Sequence, residues 1–182
     1  MPDPDRFTDL VLPHLDAGYN LARWLARDPH DAQDVVQDAC LRALRYMGTH
    51  RGSDARSWFL TIVRHAFYDW CRRNRPQEIV HDEQAMLELA ADPAAVDPEH
   101  AALRSADARL LAQALAELPL AFREVLVLRE LEELSYRDIA RITDVPIGTV
   151  MSRLARARGL LQRSSLARAL RGDAPEVQHA MQ

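Results

Sequence analysis

The stretch that most constrains this chain is Ser135–Arg158, SYRDIARITDVPIGTVMSRLARAR, which spells two short helices across a tight turn and ends in a run of arginines. Ser135 can cap the first helix, with Asp138 completing an S-x-x-D box at the positive end of the helix dipole. Ile139, Ala140 and Ile142 then form its inner side. The chain breaks at Thr143–Asp144, where aspartate can take the left-handed conformation at modest cost. Pro146 sits where a second helix begins, a position that its fixed backbone angle favours, so that helix starts near Ile147. Ile147, Val150, Leu154, Ala157 and Leu161 recur at helical spacing and mark one inward face. The opposite face carries Gly148, Thr149, Ser152 and Arg156, small at the helix start and basic further along. Such a face suits a helix end approaching base edges while arginines reach phosphate or guanine. Short amphipathic helix pairs with a few arginines also serve as plain packing units, and periodicity alone does not separate the two.

The segment as a whole, read from Leu134 to Arg158, resembles the helix-turn-helix of the fourth region of bacterial sigma factors, L-S-Y-x-x-I-A-x-x-x-x-V-P-x-G-T-V-x-S-R-L-x-R-A-R. Asp144 stands where such turns usually place Gly, and Met151 where the family often has Lys or Arg. The resemblance implies minus-35 promoter contacts from Thr149, Ser152, Arg153 and Arg156.

A formal charge of -4 over 182 residues argues at first against a nucleic-acid partner. The distribution says otherwise. Residues 1–75 hold 11 Arg against 10 acids, residues 76–134 hold 4 against 13, and residues 135–182 hold 8 against 4, for net charges of +1, -9 and +4. Two neutral-to-basic ends therefore flank an acidic middle, and the electrostatic footprint is local. All 23 cationic side chains are Arg, which reflects genomic base composition or the bidentate contacts Arg makes. Cys40 and Cys71 are isolated, with no metal-ligand or disulfide spacing. No apolar run approaches membrane-spanning length and the N-terminus lacks a signal core, so a cytoplasmic protein without membrane insertion is expected.

Towards the N-terminus, Phe7–Leu25 suits one helix through Leu10, Val11, Leu15, Leu21, Ala22 and Leu25. A second helix over Asp31–Met47 turns Ala32, Val35, Val36, Ala39 and Ala43 inward and clusters Asp31, Asp34, Gln37 and Asp38 on another side, a face that solvent alone explains. After the loop GTHRGS at Gly48–Ser53, a third helix runs from about Asp54 to Asn74. Trp58, Phe59, Ile62, Val63, Ala66 and Trp70 can pack inward. Arg56, Arg64, His65, Tyr68, Arg72, Arg73 and Arg75 lie mainly on other faces, and residues 51–75 hold six Arg against two acids. Arginines interleaved with aromatics pair with phosphate and stack on unpaired bases, as single-strand capture requires. A core helix with a basic last turn would show the same bias.

The runs DAQDVVQDA at Asp31–Ala39, LRAL at Leu41 and WFLTIVRHAFYDWCRR at Trp58–Arg73 resemble region 2 of the extracytoplasmic-function group of sigma factors. Both motif sets stand in that family's order and spacing and together cover most of residues 7–163. The resemblance implies that Asp31, Asp34, Gln37 and Asp38 dock on the clamp helices of core RNA polymerase. It also implies that the loop over residues 48–56, Arg56 included, and the start of the third helix receive a flipped minus-10 base, that His65 contributes to that recognition, and that Arg64, Tyr68, Arg72 and Arg73 hold the melted strand. His65 stands where many members have Asn.

The expected fold is all-α: a region 2 helical bundle (1–75), an acidic linker (76–99), a region 4 helix-turn-helix domain (100–163) and a flexible tail (164–182). The linker contains three prolines, seven acids and no Arg. It reads as a tether helical at most around Glu83–Ala90, either a solvated spacer or a nucleic-acid mimic. In the second domain Leu103, Leu110, Leu111, Leu115 and Leu118 form one stripe; beyond Pro119, Phe122, Val125, Leu126, Leu128 and Leu131 form another. No phosphate loop, nucleophile context or metal cluster appears, so neither enzyme chemistry nor a cofactor is expected. The expected function is promoter-directed transcription initiation with core RNA polymerase and promoter DNA as partners, and an anti-sigma factor by family expectation. A stand-alone helix-turn-helix regulator and a sigma-like interaction protein without promoter recognition are the alternatives.

Overall fold

The computed structural model describes residues 4–52, 54–80 and 108–164. In the first part, α1 (Pro4–Leu10) leads through a 3-10 turn (Leu12–His14) to α2 (Leu15–Ala26), α3 (Pro29–Tyr46), a second 3-10 turn (Met47–Thr49) and α4 (Ala55–Asn74). In the second part come α5 (Ala108–Glu117), α6 (Leu120–Leu126), a π-type turn (Val127–Leu131), α7 (Tyr136–Thr143) and α8 (Ile147–Arg163). Among the described residues there is no strand. The fold is all-α.

The single helix expected over Phe7–Leu25 is in fact two, broken by the 3-10 turn that contains Pro13. Proline has no N–H to donate one turn back and its ring collides with that carbonyl. The break lets Val11 sink fully into the core. Helix α3 begins two residues earlier than the acidic pattern suggests, because Asp28 caps it by accepting from the backbone N–H groups of His30 and Asp31. Its inward set is the one expected: Ala32, Val35, Val36, Ala39 and Ala43 are all buried.

Helices α2, α3 and α4 pack around Leu21, Leu25, Val35, Phe59, Leu60, Val63 and Phe67. Gly18 is what allows α2 and α4 to close, since a Cβ there would lie 2.6 Å from Cε1 of Phe59. In the second part, Leu111, Leu115 and Leu118 of α5 and its exit meet α6, which is buried along its whole length, Arg123 and Glu124 included. Val150, Leu154, Ala157 and Leu161 of α8 complete that core.

The two parts pack on one another, α4 against α7 and α2 against α6, and their apolar residues form one continuous cluster. At the seam Glu78, in the helical turn over residues 76–80, pairs with Arg27 and, at 3.3 Å, with the buried Arg123. The first residues of the expected tether are thus tied to both halves. The expected helix at Glu83–Ala90, the onset of the second domain before Ala108 with Leu103, and the tail lie outside the described residues.

Candidate nucleic-acid interface

The helix-turn-helix is held by its own polar groups. Ser135 Oγ accepts from the Asp138 N–H at 3.1 Å and donates to the Asp138 carboxylate at 2.5 Å. Asp138 thus answers the cap hydroxyl instead of the backbone N–H of Ser135, and it also takes the Arg141 guanidinium at 2.6 Å. The Ser135 bond, then Arg141, hold its carboxyl below the ordinary range against the opposing effect of burial. Asp144 takes the left-handed conformation (φ 55°, ψ 45°) and closes α7 through its N–H to the Ala140 carbonyl.

Helix α8 presents Gly148, Met151 and Ser152 to solvent, with Thr149, Arg153 and Arg156 half-buried along the side. The Ser152 hydroxyl donates to the Thr149 carbonyl at 3.0 Å. Ile147 departs from the inward face expected of it and is 44% exposed. It is the first helical residue, and the core begins one turn later, at Val150. Arg158 is held by Glu130 at 2.6 Å with its side chain only 13% exposed, so the last arginine of the run braces α8 against the π turn. Arg156 has no ion-pair partner among the described residues.

On α4, the expected strand-holding residues divide into two sets. Arg56 donates to the Glu132 carboxylate at 2.6 Å and to its carbonyl at 2.9 Å. Arg64 donates to Glu124 at 2.8 Å, and the Tyr68 hydroxyl donates to the same carboxylate at 3.4 Å. Glu124 is fully buried and Glu132 nearly so, and Asn20 also donates to Glu132. Burial opposes the Arg64 charge, but Glu124 and Tyr68 outweigh it and raise its pKa. His65, Arg72 and Arg73 stay exposed. Arg72 pairs with Asp69 at 2.8 Å. Burial, then Arg64, push the His65 pKa below its ordinary value. Arg64, His65, Tyr68 and Arg72 share the wall of one open cleft of about 590 Å³.

A second cleft of about 420 Å³ lies beside the loop after α3, lined by His50, Gly52, Trp58 and Thr61. The His50 and Trp58 rings are 4.8 Å apart, and Arg141 reaches across from α7 to Asp54 at 2.5 Å. Trp58 packs against the core with one side only, so reading it as an inward residue missed the ring face it lends to this cleft. The signal was a His and a Trp on either side of a Gly-containing loop.

On α3, Asp34 and Gln37 are exposed, while Asp31 pairs with Arg75 at 2.6 Å and Asp38 with Arg42 at 2.8 Å. Leu41, 51% exposed, falls between Gln37 and Asp38 on the helix surface. The sequence pattern held this residue too, as a lone apolar side chain on a polar face.

Residues 10–77 match the family model described as Sigma-70 region 2, and residues 108–161 that described as Sigma-70, region 4. The chain is 36% identical over 169 residues to the RNA polymerase sigma-H factor of Pseudomonas aeruginosa, covering 89% of this chain and 87% of that one. It is 33% identical over 148 residues to the ECF RNA polymerase sigma-E factor of Haemophilus influenzae, covering 78% and 77%. The chain belongs to the sigma-70 family, in its extracytoplasmic-function group. In structure this sigma factor is similar to the sigma factor RpoE of Bartonella quintana, solved in complex with the anti-sigma factor NepR, with a TM-score of 0.65, 29% identity, and 86% and 94% of the two chains covered.

The α3 and α4 residues described above fall inside the region 2 match, and α7 and α8 inside the region 4 match. Sigma factors are not enzymes; they act in transcription initiation by a polymerase that carries the chemistry. Among the described residues no helix of this sigma factor is long and apolar enough to cross a membrane.

Proposed function

We propose that this sigma factor binds core RNA polymerase through the outer face of α3 and places two separate surfaces on promoter DNA, working in the cytoplasm. On α3, Asp34 and Gln37 make the first contacts, Asp31 and Asp38 keep the face acidic, and Leu41 gives it an apolar centre. Protein–protein interfaces have a more apolar centre inside a polar, solvent-accessible rim.

At the minus-35 element, α8 enters the major groove with Thr149 and Ser152 leading and Arg153 and Arg156 behind. At the minus-10 element, Arg72, Arg73 and His65 line the path of the melted strand, and a flipped base stacks against Trp58 and His50. Arg56, Arg64 and Tyr68 join that path only when Glu132 and Glu124 release them. In this reading region 4 covers part of the strand-holding surface until polymerase and promoter draw the halves apart. An anti-sigma factor, the partner named for the Bartonella quintana relative, would act on the same two halves. The domain limits of 1–75 and 100–163 with an acidic linker suit that separation.

The observation that carries the proposal is the presentation of α8: four buried apolar residues fix it on the region 4 core while Gly148, Met151 and Ser152 face outward beside Arg156. The test is transcription by purified core polymerase on a genomic-fragment library with and without this protein. Discrete new start sites sharing two upstream elements are expected. A start-site pattern unchanged by the protein would overturn the proposal.

A further inference from the structure

Resting on the major-groove reading of α8, we propose that Met151 and Ile147 read the C5-methyl groups of thymines in the minus-35 element, so that this sigma factor selects thymine where an arginine at position 151 would select guanine. Ile147 and Met151 are one turn apart on α8, 44% and 53% exposed, and belong to the few large apolar side chains of the described residues that face water. They do not supply the core, which Val150, Leu154, Ala157 and Leu161 fill.

Their surroundings specify the occupant. Between them in sequence lies Gly148, where an added Cβ would meet nothing within 4 Å, so the helix can approach a groove floor without steric hindrance. Ser152, exposed, and Arg156, half-buried and without an ion-pair partner among the described residues, follow on the same helix. A duplex offers phosphates on the groove walls to the Arg156 side of the helix and a methyl group on the groove floor to Ile147 and Met151. In the major groove thymine alone of the four natural bases carries that methyl, and apolar side chains are its usual partners. Methionine's unbranched, polarisable thioether adapts to such a small target.

The test uses holoenzyme on the promoter found by start-site mapping, with each minus-35 thymine replaced in turn by deoxyuridine, which removes the methyl and keeps every hydrogen-bonding group. Wild-type binding is expected to weaken about fourfold at one or two positions, the worth of one buried methyl-sized group. Met151→Ala should bind thymine and uracil duplexes equally at the position it reads, and Met151→Leu should keep the difference. Met151 is exposed, so neither change disturbs the core. Uracil indifference at every position, or a sensitivity that survives in both Met151→Ala and Ile147→Ala, would overturn the proposal and make the pair a protein-facing patch. Absence of any promoter-directed start would instead overturn the groove reading itself, and this inference with it, before a base analogue is used.

Discussion

Gly18 lies where α2 crosses α4, and the space for a side chain is already occupied: a Cβ would stand 2.6 Å from Phe59 Cε1 and 3.2 Å from Val63 Cγ2. Both neighbours belong to the core. Gly18→Ala should therefore destabilise the protein by about 1–3 kcal/mol, the usual cost of overpacking, despite alanine's better helix propensity; urea unfolding of the variant reads it, and an unchanged midpoint would show that the ring yields freely. The buried ion pair of Arg64 and Glu124 makes a harder demand. Removing Arg64 strands the fully buried Glu124 carboxylate, at a cost of about 3–5 kcal/mol, so Arg64→Ala should lower the urea midpoint far more than a neutralisation at exposed Arg72. Cys71 is a third such case. Burial, then Glu78, push its thiol up to about 11, so at neutral pH it should resist alkylation until the protein unfolds, as mass spectrometry of alkylated native and denatured protein would record.

At the scale of elements, the outer face of α3 tests the polymerase contact. Leu41→Asp leaves the helix core of Ala32, Val35, Val36, Ala39 and Ala43 untouched and should cost at least tenfold in affinity for core polymerase, read by fluorescence anisotropy; Arg45→Ala, further along the same helix, should cost little. Much at this scale was legible in the sequence. The inward set of α3, the Ser135 cap, the left-handed turn at Asp144 and the start of α8 at Ile147 each follow from local spacing and turn chemistry. What local rules missed depends on position within the assembled core. Ile147 has an inward spacing but stands before the core begins, and Pro13 broke a helix whose apolar pattern ran on without interruption. Arg123 and Glu124 look like surface charges in sequence. They are buried because α6 is enclosed on all sides, and partners distant in sequence, Glu78 and the Leu25 carbonyl for Arg123 and Arg64 and Tyr68 for Glu124, make that burial tolerable.

For the whole molecule the seam between the halves decides behaviour. Arg56, Arg64 and Tyr68 read in the sequence as candidates for holding a melted strand, yet no sequence pattern announced that Glu132 and Glu124 would engage them. The seam should respond to acid in two stages. Burial followed by Arg56 lowers the His14 pKa, and burial followed by Arg64 lowers that of His65. Groups whose protonation folding disfavours contribute stability that is full above their ordinary value of 6.5 and is lost as the pH falls through the lower folded value. Asp54 behaves likewise at a lower pH: burial works against its carboxylate, but the Ser57 bonds and Arg141 outweigh it, and its contribution persists until the pH drops below 3.8. Urea midpoints should thus fall modestly between pH 7 and 5 and again below pH 4, and His65→Gln should reduce the first decline.

The proposed exchange of Glu124 and Glu132 for DNA by the α4 arginines is read most directly by single-molecule energy transfer between dyes at the exposed residues Asp16 on α2 and Arg163 on α8. The free protein should occupy one high-transfer state, and the holoenzyme on its promoter a distinct state of lower transfer. Equal transfer in the two would mean that region 4 never leaves α4, and would contradict the assignment of Arg56, Arg64 and Tyr68 to the melted strand.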